Sequence, residues 1–397
     1  MTTWLHADGV FRPFHERTVC QLCSAAINKV LDLGSTPLAN EYPDKPSPDQ
    51  DRFPLYLAEC RDCGHIQMPV VVDPERLYRD YRYVSGTTQA FRQHLSDLAR
   101  KIIHDAPLVA NDLVVDIGSN DGTLLEEFQG RGMRCVGVDP ALTIAGEASG
   151  RGIMTIPTFF KPSVAIRVAQ IAGQADAITA LNVFAHSANL GEIAAGIKEL
   201  LDPGGTCVIE VGSSASVTEG IFDLCYHEHL AFWHLSPLTR FLAKHGLRIR
   251  SAETVASQGG SIRAWIGHAA NDVAEPERPR VNWEAVRANV EQRRLEIRKA
   301  VLGAGRVGLY GVPAKATTLL HYCGLTDAFV AAYDDNALKV GRYVPGTSIE
   351  IRPVSRMYED GIDALLIGAW NFADEIMEKR VAWRGRWVVP FPEVRVA

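Results

Sequence analysis

Val114-Val115-Asp116-Ile117-Gly118-Ser119-Asn120-Asp121-Gly122-Thr123-Leu124-Leu125 reads as a strand, a tight glycine turn and the opening of a helix. Glycine at such a turn lets the backbone adopt conformations closed to other residues and approach a ligand closely. The next apolar run, Cys135-Val136-Gly137-Val138, ends in Asp139. An acidic residue at about 20 positions beyond the turn suits a ribose diol. The turn alone would also fit a dinucleotide, but its pattern is Asp-x-Gly-x-x-x-Gly rather than GxGxxG. Ala175 to Phe184 reads as a fourth strand and its tip, and Gly191 to Leu200 as a helix. Leu201-Asp202-Pro203-Gly204-Gly205-Thr206-Cys207-Val208-Ile209-Glu210 reads as a turn feeding a strand. Leu247 to Ala256 and Ser261 to Gly267 close the domain as two final strands. Strands alternating with helices predict a doubly wound α/β sheet, with ligands at the carboxyl ends of its strands.

In this order, the acidic glycine turn, Asp139, the Asn182-Val183-Phe184 tip and the Pro-Gly-Gly turn resemble the class I S-adenosylmethionine (SAM) methyltransferases. That resemblance makes Asp116, Gly118, Asn120, Gly122, Asp139 and Asn182 the candidate donor contacts. A doubly wound domain for another nucleotide is the competing reading.

Upstream, Cys20-Gln21-Leu22-Cys23 and Cys60-Arg61-Asp62-Cys63 form two CxxC knuckles. Each lets two thiolates converge, and two together complete a tetrahedral zinc site with no open position, hence structural. Pro37, Pro43, Pro46, Pro48 and Pro54 lie between them, in a segment too polar to hold itself together, so metal would supply folding energy. Four free cysteines are the plainer alternative.

The chain has 397 residues, enough for two or three domains, with 47% apolar residues, a net charge of −6 and a pI near 6.1. That balance favours neither nucleic acid nor an anionic membrane as partner. The start lacks a signal pattern, no apolar run is long enough for a membrane span, and the chain reads as cytoplasmic.

Downstream, Pro276 and Pro279 mark a linker, and Glu284 to Leu302 is charged and helical. Gly303-Ala304-Gly305-Arg306-Val307-Gly308 matches GxGxxG but follows a helix and enters a strand, the wrong context for a cofactor loop. Pro313-Ala314-Lys315 opens a helix instead, so its free amides and Lys315 can face a phosphate. With strands at Phe329 to Tyr333 and Ala364 to Gly368, a second, Rossmann-like α/β domain is expected. The divisions are 1–80 for the zinc module, 81–270 for the methyltransferase core and 284–397 for the carboxy-terminal module.

Tyr226-His227-Glu228-His229 packs a phenol, two imidazoles and a carboxylate together. Its histidines are too close for the His-Glu-x-x-His helix of zinc proteases. A metal pair, a structural loop and acid–base chemistry remain as readings. In the last, Glu228 orients or stabilises an imidazole and Tyr226 donates to an oxyanion. His186 follows the fourth strand at the edge where ligands bind.

The two knuckles, Tyr83-Val84-Ser85-Gly86-Thr87, Asp116 to Gly122, Tyr226 to His229, Gly259-Gly260-Ser261-Ile262-Arg263 and Gly311-Val312-Pro313-Ala314-Lys315 together resemble the sugar-nucleotide C-methyltransferases. The likeness spans nearly the whole chain. It implies structural Zn²⁺, SAM as donor and a nucleotide-linked 4-keto-deoxysugar, most simply dTDP-linked, as acceptor. It implies His229 as the base at C-3, supported by Glu228 and Tyr226, with His186 in the pocket near the donor. Ser85 and Thr87 would contact the donor. A pocket tyrosine falls at Tyr81 or Tyr83, and Lys315 and Arg263 would bind substrate. Three modules enclosing one site favour a monomer. O- or N-methylation of another acceptor is the alternative, as is a non-catalytic zinc-knuckle protein that keeps a donor fold.

Overall fold

The structure is a computed structural model that describes residues 13–78, 89–255, 259–269 and 277–397. Its centre is a seven-stranded sheet in the order Leu247–Val255, Ser261–His268, Leu201–Gly212, Ala175–Leu181, Leu113–Ile117, Arg134–Val138, Thr155–Ile156. From Leu201–Gly212 to Thr155–Ile156 the neighbours pair in parallel. Ser261–His268 runs against both of its neighbours. Every residue of Leu113–Ile117 is buried, as a parallel strand covered on both faces requires.

The helices that cover the sheet follow from spacing. Leu190–Leu200 buries Leu190, Ile193, Ala194, Ile197 and Leu200, the stripe of a helix with one apolar face. The Pro-Gly-Gly turn interrupts the register of Leu201–Gly212 between Leu201 and Thr206, and the Asp202 carboxylate accepts from the Gly204 amide at 2.8 Å. A Cβ on Gly205 would come within 2.9 Å of the Ala175 carbonyl, so glycine is needed for strand approach there.

The carboxy-terminal sheet has the order Ile351–Pro353, Phe329–Asp334, Val307–Tyr310, Ala364–Ile367, Arg386–Val389, Arg395–Val396. Numbered along the chain this is 3-2-1-4-5-6, the dinucleotide-fold order, with its reversal point beside Val307–Tyr310. Gly303 to Gly308 does link helix Trp283–Leu302 to this strand, so it is a connection rather than a ligand loop.

At the amino terminus, Ile27–Thr36, Phe53–Cys60 and Ile66–Gln67 form an antiparallel sheet. A fourth strand, Ala231–Phe232, joins it from just beyond the Tyr-His-Glu-His run. One apolar core runs through Leu31, Leu57, Phe222, Val290, Leu309 and Leu366, so the first and last modules and the loop before His229 bury their side chains together. The proline-rich segment is also tied to the last module: Ser47 donates to the Thr347 carbonyl, Tyr343 to the Pro43 carbonyl, and Arg342 pairs with Asp44. It is thus held by tertiary contacts as well as by its flanking knuckles.

Cys20, Cys23, Cys60 and Cys63 converge, with sulfur separations of 3.7 Å (Cys20–Cys63), 3.4 Å (Cys23–Cys60) and 3.7 Å (Cys23–Cys63). Zinc–sulfur bonds of about 2.3 Å in a tetrahedron place sulfurs roughly 3.8 Å apart, so the four fit the ion. Burial pushes the Cys23 thiol up to about 11, so the cluster favours protonated sulfur without a metal and needs the cation to hold thiolates. Metal analysis should find about one zinc per chain in the wild type and almost none in Cys60→Ser. Chelation should lower the thermal midpoint, and an unchanged midpoint after complete zinc loss would show the site to be dispensable for folding.

Candidate functional site

A cleft of about 2060 Å³ opens between the three modules. That exceeds the ~300–1,000 Å³ of an ordinary small-molecule pocket and leaves room for two ligands. Its donor side is the glycine turn. Gly118 has φ +72° and a Cβ there would meet Val183 at 2.5 Å. Its amide donates to the Val138 carbonyl at 2.8 Å, folding the turn over the next strand. The Asp139 carboxylate accepts from the Asn120 and Ala141 amides, each at 2.8 Å, and burial raises its pKa. Asp116 is buried one strand over and accepts from the Thr179 hydroxyl at 2.6 Å; burial, with Asp139 nearby, pushes it up to about 7. Asn182, at φ +60°, lines the same wall and donates its amide to the Glu210 carbonyl. Gly122, at φ +77°, caps helix Thr123–Gln129. The open backbone at Gly118 and the anchored carboxylate of Asp139 suit a nucleoside whose ribose meets that acid.

The opposite side repeats this arrangement. Gly311 has φ +75° and donates to the Tyr333 carbonyl at 2.7 Å. The Asp334 carboxylate accepts from the Val312 and Asn336 amides, each at 2.8 Å. Gly118 with Asp139 and Gly311 with Asp334 are therefore the same device, built twice and opening into one cleft.

Between them lies the Tyr-His-Glu-His run, folded as a turn in which the His229 amide donates to the Tyr226 carbonyl at 2.8 Å. That turn brings its first and last rings together, with centroids 4.0 Å apart. His229 Nδ1 lies 2.7 Å from the Leu224 carbonyl, so Nδ1 carries the proton and donates. Nε2 then accepts from the Tyr226 hydroxyl at 2.6 Å. Burial pushes His229 down to about 4, and the Lys315 charge pushes the same way, so the ring is neutral near pH 7. The His186 ring stands edge-on, 5.0 Å from that of His229, and burial holds it neutral too.

Two expectations are corrected. Glu228 does not hold the His229 ring, because both nitrogens of that ring are engaged elsewhere; its carboxylate accepts from Asn40 Nδ2 at 2.7 Å. Arg263 is not a substrate ligand. It is buried on its strand and pairs with Glu210 at 2.8 Å and Glu253 at 3.1 Å, satisfying charges between strands rather than facing the cleft. The metal-pair reading of the run also fails: His227 turns away, donates from Nε2 to the Pro54 carbonyl at 3.1 Å and packs on Phe53. Lys315 does line the cleft, but it is buried against Asn371 and Trp370. Tyr81, Tyr83, Ser85 and Thr87 lie outside the described residues.

Several cleft residues escaped sequence reasoning. Tyr78 reaches the His186 ring, 3.4 Å from its Nδ1. Asn40 comes from the zinc module, as does Tyr42, which donates to the Val312 carbonyl at 2.7 Å. Leu224, just before the run, also lines the cleft, while Asp223 is fully buried behind it. None belongs to a motif, and only the fold brings them together.

Three family models match consecutive parts of the chain: a zinc binding domain at residues 20–78, a methyltransferase domain at 90–252 and a C-methyltransferase C-terminal domain at 256–392. The C-methyltransferase NovU of Streptomyces niveus is 33% identical over 414 aligned positions, covering 98% of both chains. Among solved structures, the SAM-bound magnesium protoporphyrin IX methyltransferase of Synechocystis PCC 6803 matches 45% of this chain and 79% of its own, at 15% identity and TM-score 0.34. A SAM-dependent methyltransferase of Clostridium acetobutylicum matches 45% of this chain and 92% of its own, at 14% identity and TM-score 0.37.

SAM titrated into Asp139→Asn should bind roughly tenfold or more weakly than into the wild type, given ~1.5–3 kcal/mol for a hydrogen bond to a charged group. Undiminished affinity in calorimetry would remove Asp139 from the donor site. A second expectation concerns acid. Burial holds His227 at about 4, whereas the unfolded ring titrates near ~6.5. Between those values the unfolded chain binds more protons, so His227 costs stability as pH falls through that window, by roughly 3 kcal/mol at most. Asp116 and Asp223, raised by burial, titrate in the opposite sense but alike in both proteins. Denaturant midpoints of His227→Gln should therefore fall less steeply than those of the wild type from pH 6.5 to pH 4.

Proposed function

The chain belongs to the C-methyltransferase family whose three domains it carries in succession, and from that premise we propose that it methylates C-3 of a nucleotide-linked 4-keto-6-deoxysugar. It is a SAM-dependent methyltransferase with a class I core and a four-cysteine zinc site. Membership favours carbon over oxygen or nitrogen as the acceptor atom. The observation that carries the finer reading is the pair of matching glycine–aspartate sites facing one cleft, with a neutral histidine between them. One such site suffices for a donor; the second is explained by a nucleotide on the acceptor. In this reading the acceptor's nucleoside meets Asp334 and its sugar reaches the middle of the cleft, with the dTDP form taken from the family resemblance.

A sugar carbon is no nucleophile until a proton leaves it, and a neighbouring ketone makes that proton acidic. Bound SAM supplies a methyl group on a sulfonium sulfur, which takes back the bond's electron pair as the methyl leaves. The rest is done by this chain. His229 keeps its proton on Nδ1, so Nε2 is the nitrogen able to accept one. Tyr226 donates to that nitrogen and must turn its hydroxyl away as the base engages, which leaves the phenol able to donate to the acceptor. His186, neutral and edge-on, supports the wall between base and donor, and Tyr78 fixes it. Glu228, held by Asn40, places negative charge in the pocket without touching the ring. Holding the carbon against the donor accounts for much of the rate, and base catalysis typically adds about 10²–10⁴-fold.

The test is a panel of 4-keto sugar nucleotides with SAM, read by mass and by NMR. One methyl group at C-3 is expected. His229→Ala and His229→Asn should lose about 10²-fold or more in kcat while still binding SAM; either variant methylating at the wild-type rate would refute the base assignment. A mass gain only on hydroxyl or amino acceptors would replace the sugar-carbon reading.

A further inference from the structure

Lys315 is the second residue of helix Ala314–Cys323, is only 8% exposed and lines the cleft. A lysine this buried normally meets a carboxylate. Here its Nζ donates to the Asn371 side-chain carbonyl at 2.6 Å and sits 3.9 Å from the centre of the Trp370 ring. From the edge of that indole, Trp370 Nε1 donates to Asp223 Oδ2 at 2.7 Å. Asp223 is fully buried, and its Oδ1 has no hydrogen-bond partner among the described residues. The next residue, Leu224, supplies the carbonyl that orients His229. The Thr318 hydroxyl donates to the Cys225 carbonyl at 2.6 Å, clamping the lysine's helix onto the same loop. The cation and the proposed base are thus parts of one rigid assembly.

Resting on the proposed reaction, we propose that the Lys315 ammonium is a catalytic residue that receives the oxyanion formed at the substrate ketone, with Trp370 and Asp223 as its positioning residues. In the step, the C–H bond beside the carbonyl breaks, its proton goes to His229 Nε2, and its electron pair moves through carbon onto the carbonyl oxygen. In the resting cleft the lysine opposes protonation of His229, since two positive charges would share a dry pocket. Once the oxygen carries negative charge, the lysine attracts it, and that negative charge also offsets the new imidazolium. The cation therefore favours the transition state over the resting state, as an acceleration of the chemical step requires. The Tyr226 proton is committed to His229 at the start, and His186 is neutral, so neither begins the step as a full charge. Holding the ammonium on an indole face and an amide oxygen, with the carboxylate one ring away, keeps it available; a direct ion pair would neutralise it. This departs from the phosphate role that a helix-start lysine suggests in sequence.

The experiment follows exchange of the C-3 hydrogen with deuterated solvent by NMR, without SAM, on the 4-keto sugar nucleotide that the wild type methylates. Lys315→Met should slow exchange by about 10²–10³-fold, the usual loss for one oxyanion donor. Lys315→Arg should recover at least tenfold of that, and Asp223→Asn should slow exchange by about tenfold. SAM affinity by calorimetry should stay within about twofold of wild type in all three. A folded Lys315→Met exchanging within about threefold of wild type overturns the proposal while leaving the proposed reaction intact. Should Lys315→Met not fold, Lys315→Gln supplies the neutral side chain, and its exchange within about threefold of wild type, or wild-type exchange in Asp223→Asn, overturns the proposal equally. A wild type inert toward every keto sugar overturns the reaction and this role with it.

Discussion

The hydrogen bond between His229 Nδ1 and the Leu224 carbonyl decides which ring nitrogen faces the cleft, because a carbonyl oxygen can only accept. With Nδ1 committed, Nε2 is left with its lone pair toward Tyr226 and the space between the two glycine–aspartate sites. The carbonyl in turn is fixed by what surrounds it. Phe222 and Cys225 are buried in the core shared by the first and last modules, Asp223 is tied to Trp370, and the strand beyond His229 pairs with the zinc module. A loop that chemistry requires to be precise in both tautomer and position is thus held from both flanking modules as well as by the central sheet, where Trp233 donates to the Gly212 carbonyl.

That constraint gives the zinc module a reason beyond its own folding. The four thiolates hold together a small sheet that buries little on its own, and the sheet delivers Asn40 to Glu228 and Tyr42 to the Val312 carbonyl. Loss of the metal would loosen a wall of the cleft that lies far in sequence from the base. Burial first, and the nearby Glu228 carboxylate with it, raises the phenols of Tyr42 and Tyr78 above their ordinary range.

Much of this was legible in the chain because local chemistry demanded particular residues. Two CxxC turns identify a thiolate site, and glycine at 118 followed by an acid at 139 identifies a turn over a strand end. Leu190 to Leu200 shows its buried stripe by spacing alone. The short strands Thr155–Ile156 and Ile351–Pro353 were missed, since two or three residues carry no period. Arg263 and Glu228 were misjudged for a different reason. Both are charged residues within motifs, and a motif does not say which way a side chain turns. Arg263 lies in register with Glu210 on the adjacent strand, so cross-strand pairing claims it. Glu228 is a central residue of a turn whose first and last residues face each other, so its side chain leaves the ring it was expected to orient. Asn40, Tyr78 and Asp223 were out of reach because their partners are set by tertiary packing.

The repeated glycine–aspartate device bears on how two ligands can share one cleft. In each copy a left-handed glycine returns its amide to the second strand, and the acid at that strand's end is held by two backbone amides. Amide bonds fix the carboxylate without neutralising it, so each oxygen keeps a lone pair for a hydroxyl. The copies differ in what stands beside the acid. Asp139 has Asp116 and Asp121 nearby, an acidic setting compatible with a cationic donor. Asp334 has Lys339, whose ammonium lies 3.5 Å from Asp334 Oδ2 and donates to the Val312 carbonyl at 2.8 Å. Positive charge on that side suits a ligand bearing phosphate. The same backbone geometry thus stands in opposite electrostatic settings on either side of His229, which under the proposed reaction suits a sulfonium donor on one side and an anionic acceptor on the other.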